Sequence, residues 1–407
     1  MNILVLNSGS SSLKFQLIET SPEQIRSDQD RVRARGAIEK IGTGEAIISV
    51  EAGGEKTKSS REVLEHRDAV KIAASCLQDA NDGLKTEQIE GAGHRVVHGG
   101  EHFTQSVLID DEVLSHIQEA IELAPLHNPH NLKGYFAARE MLPHARHAAV
   151  FDTSFHQTLP PYAYMYGLPH VLYDRHRIRR YGFHGTSHRY VAYRYARIFG
   201  KTRQDFKLIT CHLGNGCSVC AIDHGRSVDT SMGFTPLEGL LMGTRAGDID
   251  AAAVLHVMSK EELSIQEVIS LLNKHSGLYG LSGISNDMRT LIAQSENGNE
   301  RARLAIGVFC YRVKKYIGAY LAALNGADAV LFTGGIGENA PSIRAQICED
   351  LDALGIVLDS ARNDAAGGQT CCVSSDNSAC QVWVIPTNEE LLIARDTLRC
   401  ILGLPHP

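Results

Sequence analysis

Two stretches, half a chain apart, share one pattern, and that pattern limits what the chain can fold into. Residues 3–6 are four apolar residues, followed by the small residues Asn7-Ser8-Gly9-Ser10-Ser11-Ser12 and then by residues 13–18, apolar at 13, 15 and 17. This reads as a buried strand, a tight turn and an alternating strand. Residues 208–213 likewise run into Gly214-Asn215-Gly216-Cys217-Ser218, and residues 219–222 lead on to a turn at 223–225. In the first copy Gly9 lets the backbone come close to a ligand, N–H groups and Ser hydroxyls from Ser12 and its neighbours face oxygens, and Lys14 adds positive charge. That is a phosphate grip; the bland alternative is an ordinary hairpin with a Ser-rich turn. The echo favours two similar domains, each offering a phosphate loop to one shared cleft.

The rest of the chain alternates strands and helices, which argues α/β. Residues 33–50 read as further strands of the first sheet. Helices are expected over 61–80, over 110–124 with Pro125 as the stop, from a capping box at Ser264 through Leu272, over 301–324 with Gly326 as the stop, and over 389–402. Short buried strands are expected at 148–151, 329–332 and 382–385. The strand at 329–332 runs into a Gly-rich turn, Thr333-Gly334-Gly335-Ile336-Gly337-Glu338-Asn339. Three small-residue loops, each following an apolar strand, suit a nucleotide. No low-complexity linker occurs, so a boundary near 152 rests on motifs.

Composition excludes several classes. A net charge of −7 without a basic stripe argues against nucleic acid, and no apolar run reaches the length of a membrane helix. The N-terminus enters a strand at once, unlike a signal peptide. Ten scattered cysteines read as thiols of a reducing cytosol. There is no G-x-x-x-x-G-K-[ST] and no G-x-G-x-x-G. Cys217 and Cys220 have C-x-x-C spacing but fall on a strand, where positions i and i+3 face opposite sides.

Phosphoryl transfer needs positioning, a divalent metal and positive groups around the moving phosphate. His184 and Arg245, both beside Gly, and Arg95, after Gly93-His94, are the candidate cations; each has the bland reading of a surface residue. Asp152, at a strand end, and Glu389 are oxygen donors of the kind Mg²⁺ takes.

Taken together, the motifs resemble the acetate kinase family over nearly the whole chain. They are N-S-G-S-S-S-L-K-F at 7–15, G-H-R-V-V-H-G-G at 93–100, L-A-P-L-H-N-P at 123–129 and F-D-T-S-F-H-Q-T at 151–158. They continue with R-Y-G-F-H-G-T-S-H at 180–188, H-L-G-N-G at 212–216, G-I-G-E-N at 335–339 and T-N-E-E-L at 387–391. Their number and order carry the resemblance. It implies an α/β fold of two duplicated actin-like (ribonuclease H-like) domains flanking a nucleotide cleft. The first would span 1–151 with 386–407, the second, for nucleotide and dimer contact, 152–385. It implies reversible, direct phosphoryl transfer from ATP to acetate, giving acetyl phosphate and ADP, in a homodimer with Mg²⁺ or, in its place, Mn²⁺; the cysteines add a cytoplasmic setting.

By the same resemblance Asn7 and Glu389 would hold the metal, and Arg95 would bind the carboxylate. His184 and Arg245 would steady the transferring phosphoryl group, and Asp152 would be the catalytic acid residue. A carboxylate is already ionised near neutral pH, so Asp152 is expected to position Mg²⁺ water or Arg groups and not to remove a proton. His212, Leu213, Gly214, Asn215, Gly216, Asp287, Met288, Arg289, Gly335, Ile336, Gly337, Glu338 and Asn339 would line the nucleotide. Val97, Leu126 and Pro236 would wall the acyl pocket, with Val97 of the acetate type. The chain departs from the family at Ala246, Ala251, Thr290 and Cys217, beside the expected site positions. The rivals are a propionate or butyrate kinase of the same architecture, a sugar kinase, and a non-catalytic actin-like ATP-binding module.

Overall fold

The computed structural model describes residues 1–80 and 85–406 and divides into two compact units, 1–157 with 388–407, and 158–387.

The first unit is built on an eight-stranded sheet, β1 (Asn2–Ser8), β2 (Ser12–Glu19), β3 (Arg31–Glu39), β4 (Thr43–Ala52), β5 (Glu55–Val63), β6 (Gly91–Val96), β7 (Val107–Leu108) and β8 (Arg146–Phe151), in the order β5-β4-β3-β2-β1-β6-β8-β7. β1 to β5 form an antiparallel meander, whereas β1, β6 and β8 run parallel. Its longer helices within residues 1–157 are α1 (His66–Ala80), α2 (Asp111–Glu119) and α3 (Asn128–Met141).

The second unit has six strands, β9 (Lys207–Leu213), β10 (Cys217–Asp223), β11 (Arg226–Thr230), β12 (Ala329–Thr333), β13 (Cys371–Cys372) and β14 (Gln381–Val384), in the order β11-β10-β9-β12-β14-β13. β9 to β11 are antiparallel and β9, β12 and β14 parallel. This is the arrangement of β1, β2, β3, β6 and β8 repeated. Its principal helices are α4 (Gly185–Ile198), α5 (Ala251–Lys260), α6 (Ile265–Lys274), α7 (Met288–Glu296), α8 (Glu300–Leu324) and α9 (Gly334–Asn339). The last helix, α10 (Glu389–Leu402), belongs to the first unit.

The unbroken apolar run of β1 has a physical cause. Leu4 and Leu6 face a core shared with α1 and α3, while Ile3 and Val5 face Ile393 and Ala394 of α10. A strand covered on both faces cannot alternate with polar residues. Gly91 and Gly93 let α10 lie close: a Cβ at Gly93 would stand 2.4 Å from Thr397 Oγ1. Arg395 anchors the helix to Asp28 and Asp30 with contacts of 2.5 Å. At the sheet's other edge β5 is almost wholly exposed and rich in Lys and Glu, a composition that discourages pairing with another chain.

Several expected boundaries shift. The helix expected over 61–80 starts at His66, because residues through Val63 pair with β4 instead. The helix expected over 110–124 ends at Glu119 and its last residues form turns. The Gly-rich turn at 333–339 winds into the short helix α9. Asn325, left-handed at φ 52°, caps α8 one residue before Gly326. The capping box of α6 is present, Ser264 Oγ accepting from Glu267 N and Glu267 accepting from Ser264 N. No helix among the described residues is long and apolar enough to cross a membrane.

Candidate active site

In the first unit three parallel strands end side by side, and each delivers a polar group. β1 ends at Asn7 and Ser8, Arg95 is the penultimate residue of β6, and Asp152 follows β8, its N–H donating to Val96 O at 3.0 Å. The carboxyl ends of parallel strands are where open α/β sheets bind ligands. Arg95 donates to both oxygens of Asp152, at 2.9 and 2.5 Å, and to Asn7 Oδ1 at 3.2 Å. Asp152 is 1% exposed and Arg95 22%. Burial alone would lower the Arg95 guanidinium, but Asp152, with Glu389 and Glu390 behind it, holds it well above its ordinary value.

Glu389 opens α10, whose N-cap Asn388 accepts from Leu391 N at 3.0 Å. Burial, reinforced by Asp152 and Glu390 against the pull of Arg95 and Lys14, pushes its carboxyl up to about 7. With the amide oxygen of Asn7 and the carboxylate of Asp152 nearby in the hydrogen-bond network, the donor set is all oxygen and fits Mg²⁺.

The loop after β1 is fixed from below. Gly9 N donates to Ser12 O at 2.8 Å, and His66 Nε2 lies 2.6 Å from Gly9 O. Ser12 is half-buried and Lys14 exposed. Helix α3, absent from the sequence reading, carries two residues that bind this region together. Asn131 accepts from Val97 N at 3.0 Å and donates to Ser8 O at 2.8 Å. Asn128 accepts from His98 N at 3.2 Å and donates to His98 O at 2.9 Å. Gly134 allows the approach, since a Cβ there would fall 2.0 Å from Ser8 Oγ. The signal was the pair of Asn residues three apart in Asn128-Pro129-His130-Asn131. Val97 is buried, whereas Leu126 is exposed, and Pro236 is half-buried in the second unit.

In the second unit His184 is the N-cap of α4, left-handed at φ 57°. Its Nδ1 lies 2.9 Å from Ser218 Oγ, which lies 2.7 Å from His188 Nε2, and His188 Nδ1 lies 2.6 Å from Thr210 Oγ1. The His212 ring is tilted against that of His184 with centroids 4.3 Å apart, and its Nδ1 lies 2.8 Å from Ser187 Oγ. This relay of buried hydroxyls and imidazoles fixes both rings, and Ser187 and Ser218 were not singled out from sequence.

The turn Gly214-Asn215-Gly216 meets Arg245. A Cβ at Gly216 would lie 3.3 Å from the His184 ring and 3.6 Å from Arg245 Nη1. Arg245 Nη1 also donates to Pro236 O at 3.0 Å, and Gly243 N donates to Asn215 O at 3.0 Å. The loop carrying Arg245 is held by Asp248, which accepts from Gly239 N at 2.8 Å, Tyr316 Oη at 2.9 Å and Arg312 Nη1 at 3.2 Å.

Thr333 pairs with His212 across β12 and β9, so α9 starts beside the turn after β9. Gly334, at φ 76°, packs on Leu213, while Gly335 has open space where a side chain would be. Ile336 and Gly337 continue α9. Glu338 braces the backbone, accepting from Gly334 N at 2.8 Å and Thr387 N at 3.1 Å. Asn339 donates to Gly335 O at 3.0 Å. Asp287 caps α7 and chelates Arg289, which lowers its carboxyl to about 2; Met288 points into the core and is 3% exposed. Asn286 Nδ2 donates to Asn215 Oδ1 at 3.1 Å, tying that segment to the turn. The thiol of Cys217 is buried and pushed up to about 12, which leaves it inert.

A family model described as the acetokinase family matches residues 2–395. The chain belongs to the acetokinase family. The acetate kinase of Solibacter usitatus is 54% identical to it, with 100% of each chain covered. The acetate kinase of Halothermothrix orenii is 52% identical, covering 98% of this chain and 100% of that one. Among solved structures, the Porphyromonas gingivalis acetate kinase superposes with a TM-score of 0.92 at 44% identity over 98% of this chain and 99% of that chain. A propionate kinase from Francisella tularensis superposes with a TM-score of 0.90 at 41% identity over 99% and 100%. The repeated sheets are therefore those of the actin-like ATPase fold as acetokinases build it.

Proposed function

We propose that this acetokinase transfers the γ-phosphoryl group of ATP to acetate, reversibly, forming acetyl phosphate and ADP. The observation that carries the reading is the convergence of His184 and Arg245 on the Gly216 turn. An acetate oxygen forms the new bond to phosphorus as the bond to the ADP oxygen breaks. Charge then spreads over the equatorial oxygens, where two preorganised donors stabilise it.

In this reading the first unit supplies the acceptor side and the second the nucleotide side. Arg95 receives the carboxylate of acetate beside buried Val97. Asp152 aligns Arg95. Both its oxygens engage the guanidinium, which suits positioning better than proton removal. Lys14 and Ser12 meet phosphate oxygens. The turn from His212 to Gly216, the open face at Gly335, Asn339 and the segment at Asp287 and Arg289 receive the nucleotide, while Glu338 and Met288 shape it from behind. Asn7 and Glu389 hold Mg²⁺, which when bound neutralises charge on the transferring phosphates. Helix α5 presents Val254, Leu255, Val257 and Met258 with none of its residues buried, which favours a homodimer through this face. A cytoplasmic setting accords with an ATP-linked reaction and with the scatter of cysteines along the chain.

The test is ATP-dependent acyl-phosphate formation trapped with hydroxylamine, comparing acetate, propionate, butyrate and no acceptor. We expect product that requires added Mg²⁺ and is abolished by a chelator, with acetate ahead. ADP release without acceptor and without trapped product would instead mark an ATP-binding module.

Propionate is the second reading, favoured by the likeness to the Francisella tularensis propionate kinase. A methylene in an apolar pocket is worth only about 1–3 kcal/mol. Propionate should therefore be tolerated, and Val97→Ala should raise kcat/KM for propionate relative to acetate by about 10-fold. An unchanged ratio would remove Val97 from the pocket.

A further inference from the structure

Outside the residues assigned above, one group of side chains has the composition of a metal centre. His102 stands in the loop after β6, and His116 and Glu119 are one helical turn apart on α2. The imidazoles of His102 and His116 stack with centroids 4.1 Å apart and planes 17° apart. His116 Nδ1 lies 3.2 Å from Glu119 Oε2. One ligand atom from each of the three residues lies within 4.8 Å of the other two, and no other such group of three occurs among the described residues. His102 and Glu119 are exposed and His116 is half-buried, so water has access to complete a coordination shell.

We propose that His102, His116 and Glu119 form a binding site for a borderline-soft divalent cation of the Zn²⁺ class, separate from the Mg²⁺ of phosphoryl transfer. Two imidazoles and a carboxylate with an open position are a zinc donor set; Mg²⁺ prefers oxygen ligands and keeps its waters. The backbone supplies part of the preorganisation. Asp110 accepts from Val113 N at 2.8 Å at the start of α2, and Leu114 and Ile117 bury its inner face, which turns His116 and Glu119 outward together. Phe103, buried next to His102, packs edge-on to His116 at 6.1 Å and stacks on Phe151 at 4.3 Å. The loop residue is thereby fixed against the helix, and the two outer ligands, His102 and Glu119, are exposed and have room to rotate. A bound ion would tie the loop after β6 to α2.

The experiment titrates the full chain with Zn²⁺ against a chromophoric chelator, in excess Mg²⁺, and follows the unfolding temperature in parallel. We expect one high-affinity equivalent that Mg²⁺ does not displace and a Zn²⁺-dependent rise in unfolding temperature. His116→Asn and Glu119→Gln should weaken binding by at least the ~10-fold that loss of an outer-shell partner costs elsewhere, and abolish the rise. Glu119 is exposed, so its variant keeps the fold; unaltered Mg²⁺-dependent activity of both variants would mark the loss as local. Cobalt(II) should give visible bands of a four-coordinate site in the wild type that His102→Asn removes. Absence of saturable Zn²⁺ binding, or equal binding by wild type and the variants, as expected if thiols hold the metal, would overturn the proposal.

Discussion

Arg245→Ala should lower kcat by about 10²–10³-fold while changing KM for acetate by much less. The guanidinium lies beside the Gly216 turn and is held by the carbonyl of Pro236, so it is oriented before substrate arrives. A preorganised donor acts most on the state with most charge at the transferring group, which is the transition state. Its loop is anchored independently by Asp248, Tyr316 and Arg312, so truncating Arg245 leaves the loop's own restraints in place. Arg245→Lys should recover only part of the loss, because an ammonium cannot reproduce the planar fork. Single-turnover and steady-state kinetics on the purified variants check both statements. A rise in KM with kcat intact would move Arg245 to ground-state binding.

Asp152→Asn should lower kcat/KM for acetate by about 10²-fold or more, with the pH profile unchanged in shape. The argument rests on the pairing with Arg95. Truncating one member of a buried, hydrogen-bonded pair leaves the other charge without compensation, at a cost of about 3–5 kcal/mol. An amide can accept from one guanidinium nitrogen but presents N–H to the other, so the fork splays and its carboxylate-receiving face turns. Because acetate arrives ionised, no proton needs a base. Loss of the acid limb in a rate–pH profile, with the fold intact, would instead make Asp152 a proton carrier.

Legibility in the sequence followed the physics of burial. β1 and β12 stand out because strands covered on both faces are unbroken apolar runs, and α8 because its buried residues recur at helical spacing. Helices α3 and α4 did not, because much of what their first turns bury is polar. Asn128 and Asn131 in α3, and Ser187 and His188 in α4, are inside the protein through tertiary hydrogen bonds that no periodicity records. The same limit applies at the candidate site. Gly, Asn and Ser in strand-end turns, and cations beside Gly, mark where a ligand can be reached. They do not reveal that Ser218 and His188 set the His184 ring, or that Glu338 turns back on the backbone.

The chain's last twenty residues complete its first sheet, and this fixes an order of events during synthesis. Ile3, Val5 and Val150 meet Ile393 and Ala394, and Glu389 enters the same unit as Asn7, Arg95 and Asp152. At roughly 5–20 residues per second, the stretch between Gln157 and Asn388 takes about 10–50 s to translate. Throughout that interval one face of a nascent eight-stranded sheet lacks its cover. The second unit is contiguous from Thr158 to Thr387 and has no such wait. The half of the molecule made first is therefore the half finished last, and it is the one whose yield should respond to chaperone supply and to any shortening of the C-terminus.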